Sequence, residues 1–103
     1  GGLMDVADPV MTQRLDEALA RSTGAHGVTF HALRHRDSGS IHWVEVHLQF
    51  DDDISLKEAH RIATEIERDV ISSVEKKVII TTHLECQEEQ HHDESHPGEH
   101  GSL

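Results

Sequence analysis

From residue 43 to residue 50 the chain alternates without a break. Val44, Val46, Leu48 and Phe50 fall on one parity, and Trp43, Glu45, His47 and Gln49 on the other. A period of two marks a strand with one buried face. Val28, Phe30 and Ala32 alternate more weakly with Thr29, His31 and Leu33, which predicts a strand ahead of it, joined through the turn residues Asp37-Ser38-Gly39-Ser40. Two other segments carry helical spacing. Asp8-Pro9 supplies an N-cap and a first helical position ahead of Val10, Met11, Leu15, Ala18 and Leu19, so a helix is predicted over 9–22 with Gly24 as its stop. Ser55, with Glu58 three residues on, is a capping box for a second helix whose buried stripe is Leu56, Ala59, Ala63, Ile66, Val70 and Val74. Val78-Ile79-Ile80 begins a third strand that runs on through Glu85.

The order α-β-β-α-β predicts an α+β fold. It is an open-faced αββαβ sandwich, three strands with two helices on one face, ferredoxin-like by half and metallochaperone-like in outline. The uncovered face would carry the polar alternates and Trp43, which makes it the natural surface for a homodimer. The expected organisation is a scar or linker over 1–8, one folded domain over 9–86, and an acidic, His-rich tail over 87–103. That tail, "QEEQHHDESHPGEHGS" up to its last residue, has no apolar content to bury and is expected to be disordered. The opening Gly1-Gly2-Leu3-Met4 reads as an expression scar ahead of an internal fragment.

Charge narrows the partners. A formal net charge of −11 argues against nucleic acid and anionic membrane, which need a basic face, and favours cations. No apolar run approaches the roughly 20 residues that span a bilayer. The single cysteine, Cys86, forbids an internal disulfide and a Cys-rich zinc site. Histidine is the outlying residue, with eleven in 103 positions and no tag-like run to account for them.

Strand parity sorts these histidines. If the hairpin turns through Ser38-Gly39-Ser40, Asp37 faces Ile41, and counting back puts His31 directly opposite His47. Opposed residues share a face with Cβ atoms about 4.5–5.5 Å apart, and a one-residue slip would separate them. His83 and Glu85 share a face of the third strand, and His60 lies on the first turns of the second helix beside its apolar stripe. Three strands and a helix thus each offer a ligand that zinc accepts, neutral imidazole or carboxylate. The spacings match no compact zinc motif, and a solvated surface histidine is commoner than a ligand. His35 and His42 are expected to be solvated, with an auxiliary-ligand role as the alternative for His35, which shares the parity of His31; His26 is a weaker candidate still, and Cys86 has the wrong parity to join Glu85. Arg34 and Arg36 read equally well as interface contacts and as solvated strand charges. The tail histidines His91, His92, His96 and His100 would gather cations weakly or simply aid solubility.

The segments "HALRHRDSG", "HWVEVHLQF", "ISLKEAHRIATEIE" and "VIITTHLE", in that order over roughly residues 9–86, resemble the cytoplasmic C-terminal domain of cation diffusion facilitator transporters. The resemblance implies a dimeric αββαβ domain attached to a transmembrane domain, on the cytoplasmic side of the inner membrane. It further implies a two-metal centre near the dimer interface, in which His31 and His47 hold one ion, His60 and His83 the other, and Glu85 bridges. Glu85 stands where the zinc exporters carry Asp, a departure that can alter geometry or metal preference. Zinc is the expected metal, with cadmium, cobalt, nickel, copper, iron and manganese as alternatives. The expected function is regulatory metal sensing rather than catalysis. The competing readings are a constitutive dimerisation module with incidental metal and a soluble metal carrier. An enzyme is not expected, because no nucleophile and base set accompanies the ligands.

Overall fold

The computed structural model describes residues 8–87. The element order is α1 (Pro9–His26), β1 (Thr29–Asp37), β2 (His42–Phe50), α2 (Leu56–Ser72) and β3 (Val78–Cys86). The three strands form one sheet in the order β1-β2-β3, with β2 central, antiparallel to β1 and parallel to β3. Both helices lie on one face. Their buried residues Leu15, Leu19, Ile66 and Val70 pack against Val46 and Leu48 to make a fully buried centre. This is the predicted open-faced sandwich. The expected tail and its histidines, and the first residues of the chain, lie outside the described residues.

The helix starts follow the sequence. The Asp8 carboxylate accepts from the Val10 N–H at 3.0 Å, and the Ser55 hydroxyl accepts from the Glu58 N–H at 3.0 Å. The return arm of the capping box at the start of α2 is diverted: the Glu58 carboxylate takes the Arg61 guanidinium instead. Two stripe positions at these starts are also corrected, since Val10 and Leu56 are exposed in the first turns while Ile62 is buried.

The end of α1 differs more. The helix passes through Gly24 and stops at Gly27, which sits at φ 71° in the left-handed region that glycine enters at no steric cost. The N–H groups of Gly27 and Val28 return to the carbonyls of Gly24 and Thr23, closing the last turn. Bonds at and just before the added turn explain the extension. His26, on that turn, meets Glu65 at 2.8 Å, and Ser22, the last residue of the expected helix, donates to Asp69 at 2.6 Å, so the end of α1 is anchored to α2.

The hairpin contains two departures that cancel. Asp37 pairs with His42 rather than Ile41, so the loop spans 38–41, one residue longer than expected. Gly39 at φ 93° and a bond from its N–H to the Asp37 carboxylate shape the loop. Farther along, a β-bulge between His31 and Arg34 puts Ala32 at φ 57° and inserts one extra residue into β1. The bulge restores the register, and His31 does lie opposite His47. Between bulge and loop, however, the faces are exchanged. Leu33 packs onto the core while Ala32 is exposed, and His35 lies opposite Val44 on the helical side. His42 is 3% exposed. The expectation that His35 and His42 are solvated is therefore wrong for His42 and displaced for His35.

Candidate metal centre

The face of the sheet that carries no helix holds a row of three histidines. His47 on the central strand is flanked in register by His31 of β1 and His83 of β3. The ring centroids are 5.1 Å apart for His31 and His47, and 4.6 Å for the stacked pair His47 and His83. Such a row follows from strand chemistry: residues opposed on adjacent strands share a face, and His47 has a neighbour on each side.

A carboxylate reaches into the row from either side. Glu85, two residues beyond His83, meets His31 Nε2 at 2.8 Å and also bonds His47 Nδ1. Glu45, two residues before His47, meets His83 Nε2 at 2.8 Å. Two sets of three ligand atoms result, His31 with His47 and Glu85, and Glu45 with His47 and His83, each set mutually within 4.8 Å. His47 belongs to both.

The electrostatics suit a cation. Partial burial works against a charge on Glu85, but the hydrogen bonds from His47 and His31 outweigh it and hold the carboxyl below the usual carboxylate range. The first set is the less exposed: side chains there retain 26 to 37% of their surface, against 45% for His83 and 42% for Glu45. Imidazole nitrogen and carboxylate oxygen are the donors that zinc and its first-row neighbours accept, and three of them leave a position for a further ligand.

The structure thus brings together four of the five residues singled out in the sequence. His60 is the exception. It is exposed on α2, in the helical layer, and is in neither set. Glu85 lies between His31 and His47, whereas His83 pairs with Glu45. Glu45 was missed as a ligand although its parity with His47 was visible; what the sequence lacked was the β2–β3 register that brings His83 alongside. His26 is a structural clamp, its Nδ1 on the Ser22 carbonyl and its Nε2 on Glu65, and these two bonds, the carbonyl first, raise its pKa. Cys86 is partly buried and opposite in parity to Glu85, paired with Phe50.

An αββαβ sandwich with one bare sheet face defines the class of small α+β domains with a ferredoxin-like fold, and here that face carries a histidine–carboxylate cluster. The family model for the cytoplasmic domain of cation efflux proteins matches residues 7–87, and the chain belongs to that family. Among curated relatives, the cation-efflux pump FieF of Pectobacterium atrosepticum is 39% identical over 67 residues, which is 64% of this chain and 22% of that protein. The same pump from Cronobacter sakazakii is 33% identical over 60 residues, 58% of this chain and 19% of that one. The chain spans about a fifth of the length of the curated relatives it matches. Among solved structures, the Zn form of the putative zinc transporter CzrB superposes with a TM-score of 0.74 at 26% identity, covering 82% of this chain and 94% of that one. The metal-bound C-terminal domain of the CzcD transporter from Thermotoga maritima gives 0.65 at 23% identity over 74% of this chain and 86% of that one, a likeness of fold. No helix among the described residues is long and apolar enough to cross a membrane.

Proposed function

We propose that this domain is the regulatory, metal-sensing part of a zinc efflux transporter of the inner membrane. In this reading it works as a homodimer beneath its own transmembrane domain, and metal binding changes the dimer's geometry. The observation that carries the reading is the convergence of His31, His47 and Glu85 on one spot of the bare sheet face, with the ionised Glu85 carboxylate between two imidazoles. His31, His47 and Glu85 hold the first ion. His83 and Glu45 offer a second, and His60, which lies in the helical layer of its own protomer, joins such a site from the partner copy. Zinc is favoured among the divalent ions because the donor set suits it and because a putative zinc transporter is among the structural relatives.

The energetic logic is linkage. An ion that binds only the converged arrangement stabilises it by RT ln(1 + [L]/Kd), about 2.7 kcal/mol at a hundredfold excess over Kd. That energy can shift a dimer between two geometries only to the extent that the ion distinguishes them.

Calorimetric zinc titration of the chain, beside the double variant His47→Ala, His83→Ala and the single variant His60→Ala, tests the proposal. Dimer shape is followed by small-angle scattering. Saturable binding of more than one ion per protomer, lost in the double variant and accompanied by compaction, is the expected result. Binding that survives in the double variant would remove the metal from this face. Binding without any change of shape would leave a dimerisation domain that merely carries metal.

A further inference from the structure

Two histidines outside the metal face meet on the other side of the sheet. His35 Nδ1 and His42 Nε2 are 2.8 Å apart, with ring centroids at 5.0 Å. His35 Nε2 lies 2.8 Å from the Thr12 hydroxyl of α1, and that hydroxyl donates to the carbonyl of the N-cap Asp8 at 3.1 Å. At the far end, His42 Nδ1 is buried and has no hydrogen-bond partner among the described residues. The series therefore ties the first turn of α1, through β1, to the first residue of the central strand.

Counting hydrogens sets its direction. Thr12 and two neutral imidazoles each supply one, and there are three contacts to fill. The Thr12 hydrogen goes to the Asp8 carbonyl, so the hydroxyl oxygen accepts from His35 Nε2–H. His35 Nδ1 is then bare and accepts from His42 Nε2–H, which leaves His42 Nδ1 as a buried lone pair. Every contact is made and none has a spare hydrogen. An added proton has two places to go. On His42 Nδ1 it creates a buried charge whose N–H has no acceptor. On His35 Nδ1 it sets two N–H donors against each other across the 2.8 Å contact.

We infer that the His35–His42 pair is a proton-operated latch, fastening the first turn of α1 to the hairpin while both rings are neutral and releasing it when either takes up a second proton. The groups that face the pair do not remove this conflict. Asp8 is the N-cap ahead of α1, Asp37 comes from the end of β1 and Lys76 from the segment ahead of β3. Asp37 is already bonded to Lys76 at 2.6 Å, and the Asp8 carboxylate is engaged by the Val10 N–H. Burial is the leading influence on both rings and lowers both pKa values. The neighbouring His42 lowers His35 further; for His42, Asp37 opposes the shift and Lys76 adds to it. Because the folded-state values lie below the ordinary histidine value of about 6.5, the opened form takes up protons first. The latch is at full strength above that value and weakens as pH falls below it.

The test is hydrogen exchange by NMR on the metal-free chain from about pH 7.5 to about 5.5, corrected for intrinsic rates. Protection of the Thr12 and Gln13 amides is expected to fall about tenfold for each pH unit between the ordinary and the folded-state values, while Ile66 in α2 keeps its protection. In the double variant His35→Gln, His42→Gln the amide nitrogens can donate in the same sense without titrating, so α1 protection should stay flat. Imidazole nitrogen shifts of the unaltered chain give a reading independent of that variant's folding. They should show His42 Nδ1 bare and Nε2 protonated at pH 7.5. A protonated Nδ1 there, histidines that titrate at the ordinary value, or equal losses in parent and variant would each overturn the latch. With no metal present, these outcomes are independent of whether the opposite face senses zinc.

Discussion

His47 is the residue that both ligand sets share, and the two carboxylates divide between them. Glu85 bridges the imidazoles of His31 and His47, and Glu45 serves His83. Glu85→Gln removes the charge from the first set while keeping its size. Zinc affinity of the less exposed site is expected to fall by at least the roughly 10–100-fold that loss of an outer-shell partner costs a metal site. Glu45→Gln should leave that site unchanged and weaken only the second, which calorimetry resolves as the loss of a different part of the titration. Identical curves for both variants would mean that one site, not two, uses this face. Ligand types and parity are residue-scale properties, so His31, His47, His83 and Glu85 stood out in the sequence. The local pairing of Glu45 with His83 did not, because it depends on how β3 slides along β2.

At the scale of elements, two glycines three positions apart should respond with opposite sign. Gly24 lies inside α1, and an added Cβ there meets nothing within 4 Å. Gly24→Ala is expected to stabilise by about 0.5–1 kcal/mol through reduced chain entropy. Gly27 carries the left-handed cap at φ 71°, and Gly27→Ala should cost about 1 kcal/mol or more. Urea midpoints measure both; stabilisation by the second substitution would refute the cap assignment. The bulge offers a parallel case. Ala32 sits at φ 57°, where a side chain is disfavoured and a β-branched one more so. Ala32→Gly should therefore raise stability slightly, whereas Ala32→Val should lower it by about 1–2 kcal/mol. If the valine instead expels the bulge, the His31–His47 register is lost and zinc binding weakens with it.

For the molecule as a whole, the bare sheet face carries more than the histidine–carboxylate cluster. Trp43 and Ile79 are in register on β2 and β3 and are 37% and 38% exposed, with the Arg36 guanidinium 5.8 Å from the indole centroid. Aromatic side chains of this kind anchor interfaces when covered. Trp43→Glu is expected to shift the chain toward monomer in analytical ultracentrifugation while far-UV circular dichroism stays unchanged. A dimer that survives the change would place the interface elsewhere. The opposite face has the Thr12–His35–His42 series, so the proposed metal ligands and the proposed latch lie on opposite faces of the sheet.

The elements, their order and the buried parity of the central strand were legible in the chain because caps, turns and alternation act within a few residues of one another. The helix that outran Gly24 was not, since bonds from Ser22 and His26 to α2 decide how far α1 extends. The opposition of His31 and His47 was read correctly through a loop one residue too short, and a bulge within β1 made up the difference. Counting along one strand cannot detect two offsets that cancel. Tertiary structure alone decided that His35 and His42 turn inward, that His83 completes the row, and that His60 stands apart from it. Each of these depends on pairing and packing between distant segments, where the register that buries the most apolar surface prevails over local pattern.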